Sequence, residues 1–139
     1  MLAGTMDQKT AIVAAVPIFA KLEPRSLEAV GTLARVVAVP AKTVLLREGE
    51  PAESFYVIVD GTVRIEHRGR FVRSMSAGGF LGEVALVEGT ERTATATCAT
   101  DCELLEFGSF EFGRVLATFP DVRARVEAAV ARRPHAEVS

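Results

Sequence analysis

Apolar residues recur with two different periods along this chain, and the changes of period divide it into three parts. Residues 6–15 suit a short helix with Thr5 as its cap, ended by Pro17. Ile18 to Leu22 is a compact apolar link. A second helix is expected from Pro24, a residue suited to a first helical position, with Leu27, Val30, Leu33 and Ala34 on one face. From Arg35 the period becomes alternating and β-branched residues take over. Val36–Val39, Thr43–Leu46, Phe55–Val59, Thr62–Glu66 and Phe71–Met75 read as strands, separated by turn signals at Pro40-Ala41, Glu48 to Pro51, Asp60-Gly61 and Arg68 to Arg70. Ala94–Ala99 and Glu103–Phe107 are expected to form a hairpin around Thr100-Asp101. The helical period then returns. Ser109 is a candidate cap for a helix carrying Phe112, Val115, Leu116 and Phe119, and Pro120-Asp121 starts a last helix running to Arg133. The pattern predicts an α+β, mainly β fold: about eight antiparallel strands in a jelly roll or barrel, between N-terminal helices and two C-terminal helices.

Residues 78–95, GGFLGEVALVEGTERTAT, interrupt the strand pattern. Gly82 lets a ligand approach the backbone closely, and the following residues can form one helical turn with free N–H groups. Such a turn attracts phosphate through its unpaired donors and its dipole. Arg92 adds a charge-assisted contact. Glu83 would repel phosphate, but it makes sense as an acceptor for a hydroxyl of the same ligand, such as a ribose. A sugar phosphate fits both. The other reading is a phosphate-indifferent turn in which Glu83 and Arg92 pair with each other.

Length and composition bound the remaining chemistry. At 139 residues the chain is one domain's length, and 49% hydrophobic and 24% charged residues are ordinary for a globular protein. A net charge of −2 without a basic block argues against nucleic acid as partner. No apolar run approaches the roughly 20 residues that span a bilayer, so no membrane insertion is expected. Met1 to Thr10 has no secretory character, since Asp7 falls where an apolar core should begin. Cys98 and Cys102 could face each other across the expected hairpin and bond, or rest as two buried thiols in a reducing cytosol. His67 and His135 lie far apart with no third partner at metal-ligand spacing, and both read as surface residues, so no metal is expected.

The interrupting stretch resembles the phosphate-binding cassette of the cyclic nucleotide-binding domain family: Leu81-Gly82-Glu83-Val84-Ala85-Leu86, a short turn, then Arg92-Thr93-Ala94. Leu81 stands where the family usually has Phe, and Glu91 where Pro often precedes the Arg. The resemblance extends through Gly49, Gly61 and Phe55-Tyr56-Val57-Ile58. Ala14 to Leu22 and Arg132-Arg133 are similar to the channel-type branch found in prokaryotic cyclic-nucleotide-regulated potassium channels. It implies one domain over 1–139, with helical entry about 6–34, a barrel with a short cassette helix about 35–107, and helices about 109–133. It further implies a non-enzymatic, cytoplasmic sensor for cAMP, with cGMP as the alternative, that acts on an attached or separate effector such as a channel. In that family's terms Arg92 and the backbone of Gly82 to Ala85 hold the cyclic phosphate, and Glu83 holds the ribose 2′-hydroxyl. Thr93 gives its hydroxyl to the phosphate, and in cGMP-preferring relatives a Thr here also meets the guanine amino group. Glu53 orients Arg92 or is a solvated loop carboxylate. Val63, Leu81 and Val84 suit either a sugar and base pocket or the core. Arg133 closes over the base or is a surface charge at a helix end. The sensor half of a transcription regulator would read the same, but its helix-turn-helix would have to follow, and the chain ends at Ser139. A non-binding docking module of the same fold would normally lose Glu83 or Arg92.

Overall fold

A computed structural model describes residues 8–51, 53–82 and 91–132. The helical entry is α1 (Gln8–Ala14) and α2 (Pro24–Leu33), with Leu27 and Val30 buried on the face the sequence pattern marks. Thr5 lies outside the described residues. Among the described residues eight strands follow: β1 (Arg35–Val39), β2 (Val44–Leu46), β3 (Ser54–Asp60), β4 (Val63–His67), β5 (Arg70–Met75), β6 (Phe80–Leu81), β7 (Thr95–Cys98) and β8 (Cys102–Gly108). Two helices follow, α3 (Ser109–Thr118) and α4 (Pro120–Ala131), separated at Phe119 by the proline.

The strands form two antiparallel four-stranded sheets, ordered β1-β8-β3-β6 and β2-β7-β4-β5. The first sheet is covered on both faces. Phe55 and Val57 of β3, with Leu105 and Phe107 of β8, point to the helices and pack with Phe19, Val30, Phe112, Val115, Val122 and Val126. At the centre Phe55 stacks on Phe112 at 4.0 Å between ring centroids, with Phe80 and Phe107 tilted against it at 5.8 and 5.7 Å. The alternate residues Ile58 and Leu104 face inward and meet Val63, Ile65, Ala96 and Cys98 of the second sheet, with Ala94 just before β7. The fold is thus three layers, helices on sheet on sheet, in the expected mainly β class.

Two local expectations are corrected. β7 and β8 are not a hairpin: β7 pairs with β4 and β2, and β8 with β1 and β3. Residues 99–101 carry the chain from one sheet to the other. The reason lies in β8, whose side chains are buried on both faces and which therefore takes the centre of the helix-covered sheet. Cys98 and Cys102 are both buried free thiols beside this crossing. Ser109 is the first helical residue of α3 and not its cap. Gly108 occupies the cap position with no side-chain bond, and Glu111 supplies the favourable negative charge to the first turn.

Candidate anion-binding site

The site is assembled where β6 ends and the chain returns toward β7. Gly82 has φ +96°, a conformation that favours glycine. A Cβ there would sit 2.8 Å from Arg92 Nη1 and 2.9 Å from the Ser54 carbonyl oxygen, so glycine is also needed for room. Arg92 is 4% exposed, an unusual burial for an arginine. Its Nη1 donates to the Gly82 carbonyl at 2.7 Å and its Nη2 to the Ser54 carbonyl. The Arg92 backbone is clamped as well: its N–H donates to the Glu50 carbonyl at 2.9 Å and its carbonyl accepts from Gly49 N–H at 2.8 Å. A bridge between Pro51 and Glu91 extends this pairing. The guanidinium is therefore held by the Gly82 and Ser54 carbonyls, and the backbone behind it by Gly49 and Glu50.

Thr93 follows. Its Oγ1 is buried and has no hydrogen-bond partner. Such a group ordinarily loses about 1–3 kcal/mol relative to one that is paired. Its carbonyl accepts a 2.8 Å bond from Nδ1 of His67. His67 is thus half-buried and bonded to the site, a correction to its reading as a surface residue: β4 is in the second sheet beside β7, and its last side chain reaches the chain entering β7.

Leu81 and Val63 are both fully buried and pack within the barrel interior with Leu46, Ile58, Ile65 and Ala94. In this structure both are core residues with no exposed surface. Glu53 is exposed, and its carbonyl accepts from Ser109 N–H at 3.1 Å, tying the start of β3 to α3. Glu83, Val84, Ala85 and Arg133 lie outside the described residues. No group of three or more His, Cys, Asp or Glu able to hold a metal ion occurs among the described residues.

Sequence reasoning missed a carboxylate network next to Arg92. Glu106 of β8 accepts from Arg35 Nη2 at 2.7 Å, Tyr56 Oη at 3.2 Å and Ser54 Oγ at 3.3 Å. Burial acts to raise the Glu106 carboxyl, but the bonds from Arg35, Tyr56 and Ser54 outweigh it and hold the group below its ordinary range. Burial, with the Glu106 charge beside it, pushes the Tyr56 hydroxyl above its ordinary range. Ser54 belongs to both clusters, its hydroxyl on Glu106 and its carbonyl on Arg92. A cleft of about 430 Å³ opens here, walled by Thr32 to Arg35 of the α2–β1 corner and by Gly108 and Glu111 of the β8–α3 corner. The signal available in the sequence was a glutamate on the inward-facing register of β8, two residues past Leu104.

The model of the cyclic nucleotide-binding domain matches residues 36–119. The chain is 35% identical over 119 residues to a cyclic nucleotide-gated potassium channel of Mesorhizobium japonicum, covering 86% of this chain and 33% of the channel. It is likewise 35% identical over 100 residues to the cAMP-activated global transcriptional regulator CRP of Escherichia coli, covering 68% of this chain and 48% of the regulator. The chain thus spans a third to a half of the length of these relatives. Its fold is also that of the solved cAMP-bound PfPKA-R, with a TM-score of 0.80 at 20% identity over 88% of this chain and 42% of that one.

Proposed function

Because this chain belongs to the cyclic nucleotide-binding domain family, we propose that it is a regulatory sensor whose ligand is cAMP, with cGMP as the alternative. The observation that carries the reading is the Thr93 hydroxyl, buried without a partner beside a buried, clamped arginine. A cyclic phosphate satisfies both groups: Arg92 takes the exocyclic oxygens and Thr93 donates its hydroxyl. The close backbone approach at Gly82 suits the same anion. Glu83, with its carboxylate at the start of the turn, accepts the ribose 2′-hydroxyl, and backbone N–H groups to Ala85 complete the phosphate seat. Val84, with Leu81 and Val63 beneath, supplies apolar surface to the sugar and base. Glu53 lies next to Ser54 in the chain and helps to orient Arg92. Arg133, just past α4, closes over the base.

This is a switch and not a reaction. The nucleotide binds the arrangement with α3 and α4 folded over the barrel better than the open one, and that difference in affinity shifts the equilibrium. The moving helices relay the change to an effector, attached or separate. A channel is the first choice, supported by the 35% identity to a nucleotide-gated channel over 86% of this chain; as part of a channel the domain would sit at the cytoplasmic face of a membrane. The identity to a cAMP-activated regulator supports the sensor half of a transcription factor as the second reading.

Calorimetric titration with cAMP and with cGMP, alongside Arg92→Ala, tests the binding. Loss of the charge-assisted contacts should weaken affinity by about 10- to 150-fold, the equivalent of roughly 1.5–3 kcal/mol. An unchanged Arg92→Ala affinity would remove the assignment of this residue. No binding by the folded wild type would favour a docking module. Hydrogen exchange over residues 109–132 should slow on binding, and no change there would remove the relay.

A further inference from the structure

β4 runs out of ladder before the anion-binding stretch does. Its pairing with β7 ends at Glu66 opposite Thr95, because Arg68 at φ +52° and Gly69 at φ +77° turn the chain into β5. The Thr93 carbonyl, two residues beyond that last pair, looks toward a strand whose backbone has already left. The His67 side chain takes the place of the missing ladder partner, with Nδ1 2.8 Å from the oxygen. A carbonyl only accepts, so Nδ1 carries the proton. On the preceding residue the backbone of Gly49 and Glu50 holds both polar groups of Arg92. The peptide on each side of Thr93 is therefore fixed, and the buried, unpartnered Oγ1 projects from between the two anchors.

We propose that His67 is a positioning residue for ligand binding: its bond to the Thr93 carbonyl fixes the peptide that aims the Thr93 hydroxyl at the ligand phosphate. The inference rests on the nucleotide reading above. The Arg92 side is tied by two backbone hydrogen bonds, whereas the Thr93 carbonyl is tied by this single side-chain bond. Without it the Thr93–Ala94 peptide can rotate, and the hydroxyl samples directions that must be given up again on binding. Arg92 keeps its seat, since its guanidinium is held by Gly82 and Ser54. The effect thus falls on one contact. A bond serving only to finish the sheet would lower stability and leave the ligand contact alone.

The experiment is a calorimetric titration of the 139-residue chain with cAMP and with cGMP, as wild type, His67→Leu, His67→Asn, Thr93→Val and the His67→Leu/Thr93→Val double variant. An asparagine amide nitrogen stands where Nδ1 stood and can donate the same bond. His67→Leu is expected to bind about threefold to tenfold more weakly, the range of one neutral hydrogen bond. His67→Asn should stay within about twofold of wild type, and leucine should add little once the Thr93 hydroxyl is gone. If leucine fails to fold, His67→Gln replaces it, because its amide reaches only the Nε2 position, and the same loss is expected. Wild-type affinity in His67→Leu would overturn the proposal. So would a loss of equal size in the Thr93→Val background, or a loss that asparagine does not restore. A wild type that takes up neither nucleotide defeats the nucleotide reading itself, and this inference with it, a result distinct from all the others.

Discussion

Replacing Glu106 by alanine should destabilise the barrel, and the size of the loss follows from its three donors. The Arg35 side chain is 75% exposed, so its ion pair is screened and adds at most about 1 kcal/mol. Tyr56 and Ser54 are half-buried, and each hydroxyl loses an acceptor worth about 0.5–1 kcal/mol at such sites. The sum is about 2 kcal/mol. In urea, with a slope of about 1.5 kcal/mol/M, the unfolding midpoint should fall by roughly 1.3 M with the slope unchanged. The folded carboxyl titrates below its unfolded value of about 4.3, so its contribution is present above that pH and lost as pH falls through the folded value. The gap between wild type and Glu106→Ala should therefore be constant from about pH 6 to 8 and shrink below about pH 4. A midpoint within about 0.2 M of wild type at pH 7 would refute the network as a stabilising unit. A gap that persists unchanged at low pH would show that alanine acts through packing and not through the lost charge.

The remaining predictions concern the core and the thiols. Phe55→Ala removes the ring stacked on Phe112 between the sheet and the helices, and it should cost about 3–5 kcal/mol; a thermal melt followed by circular dichroism reads the loss, and an unchanged midpoint would mean that the helices do not depend on this contact. Burial, with Cys102 beside it, pushes the Cys98 thiol up to about 12. Neither cysteine should react with a disulfide reagent at about pH 8 in the native chain, and both should in denaturant; rapid native labelling would contradict the packing between the sheets.

Much of this protein was legible along the chain. The change from helical to alternating period at Arg35 coincides with the start of β1, and Pro24 and Pro120 open α2 and α4. Those features are local, because period and proline chemistry act within a few residues. Gly82 and Arg92 stand ten residues apart on the one stretch that the pattern marks, whereas the hydrogen bond between them is a contact that the sequence does not display.

What the chain does not display is which strand lies beside which. Alternation tells that β7 and β8 each bury a face, and a three-residue link between them suits a hairpin as well as a crossing. Only the helices over the first sheet decide it, since they give β8 an apolar environment on both faces and draw it between β1 and β3. The same tertiary choice creates the polar contacts around Arg92. Tyr56 meets Glu106 across fifty residues of sequence, and His67 meets Thr93 across twenty-six. Neither pair carries a local signal. Each exists because β3 lies beside β8 and β4 beside β7: Tyr56 stands directly opposite Glu106 in register, and His67 at the end of β4 bonds a carbonyl beyond the last ladder pair. The local sequence determined seven of the eight described strands and the turns between them, and it marked residues 78–95, where β6 falls, as an interruption. Strand pairing, set by burial on two faces, decided what holds that stretch in place.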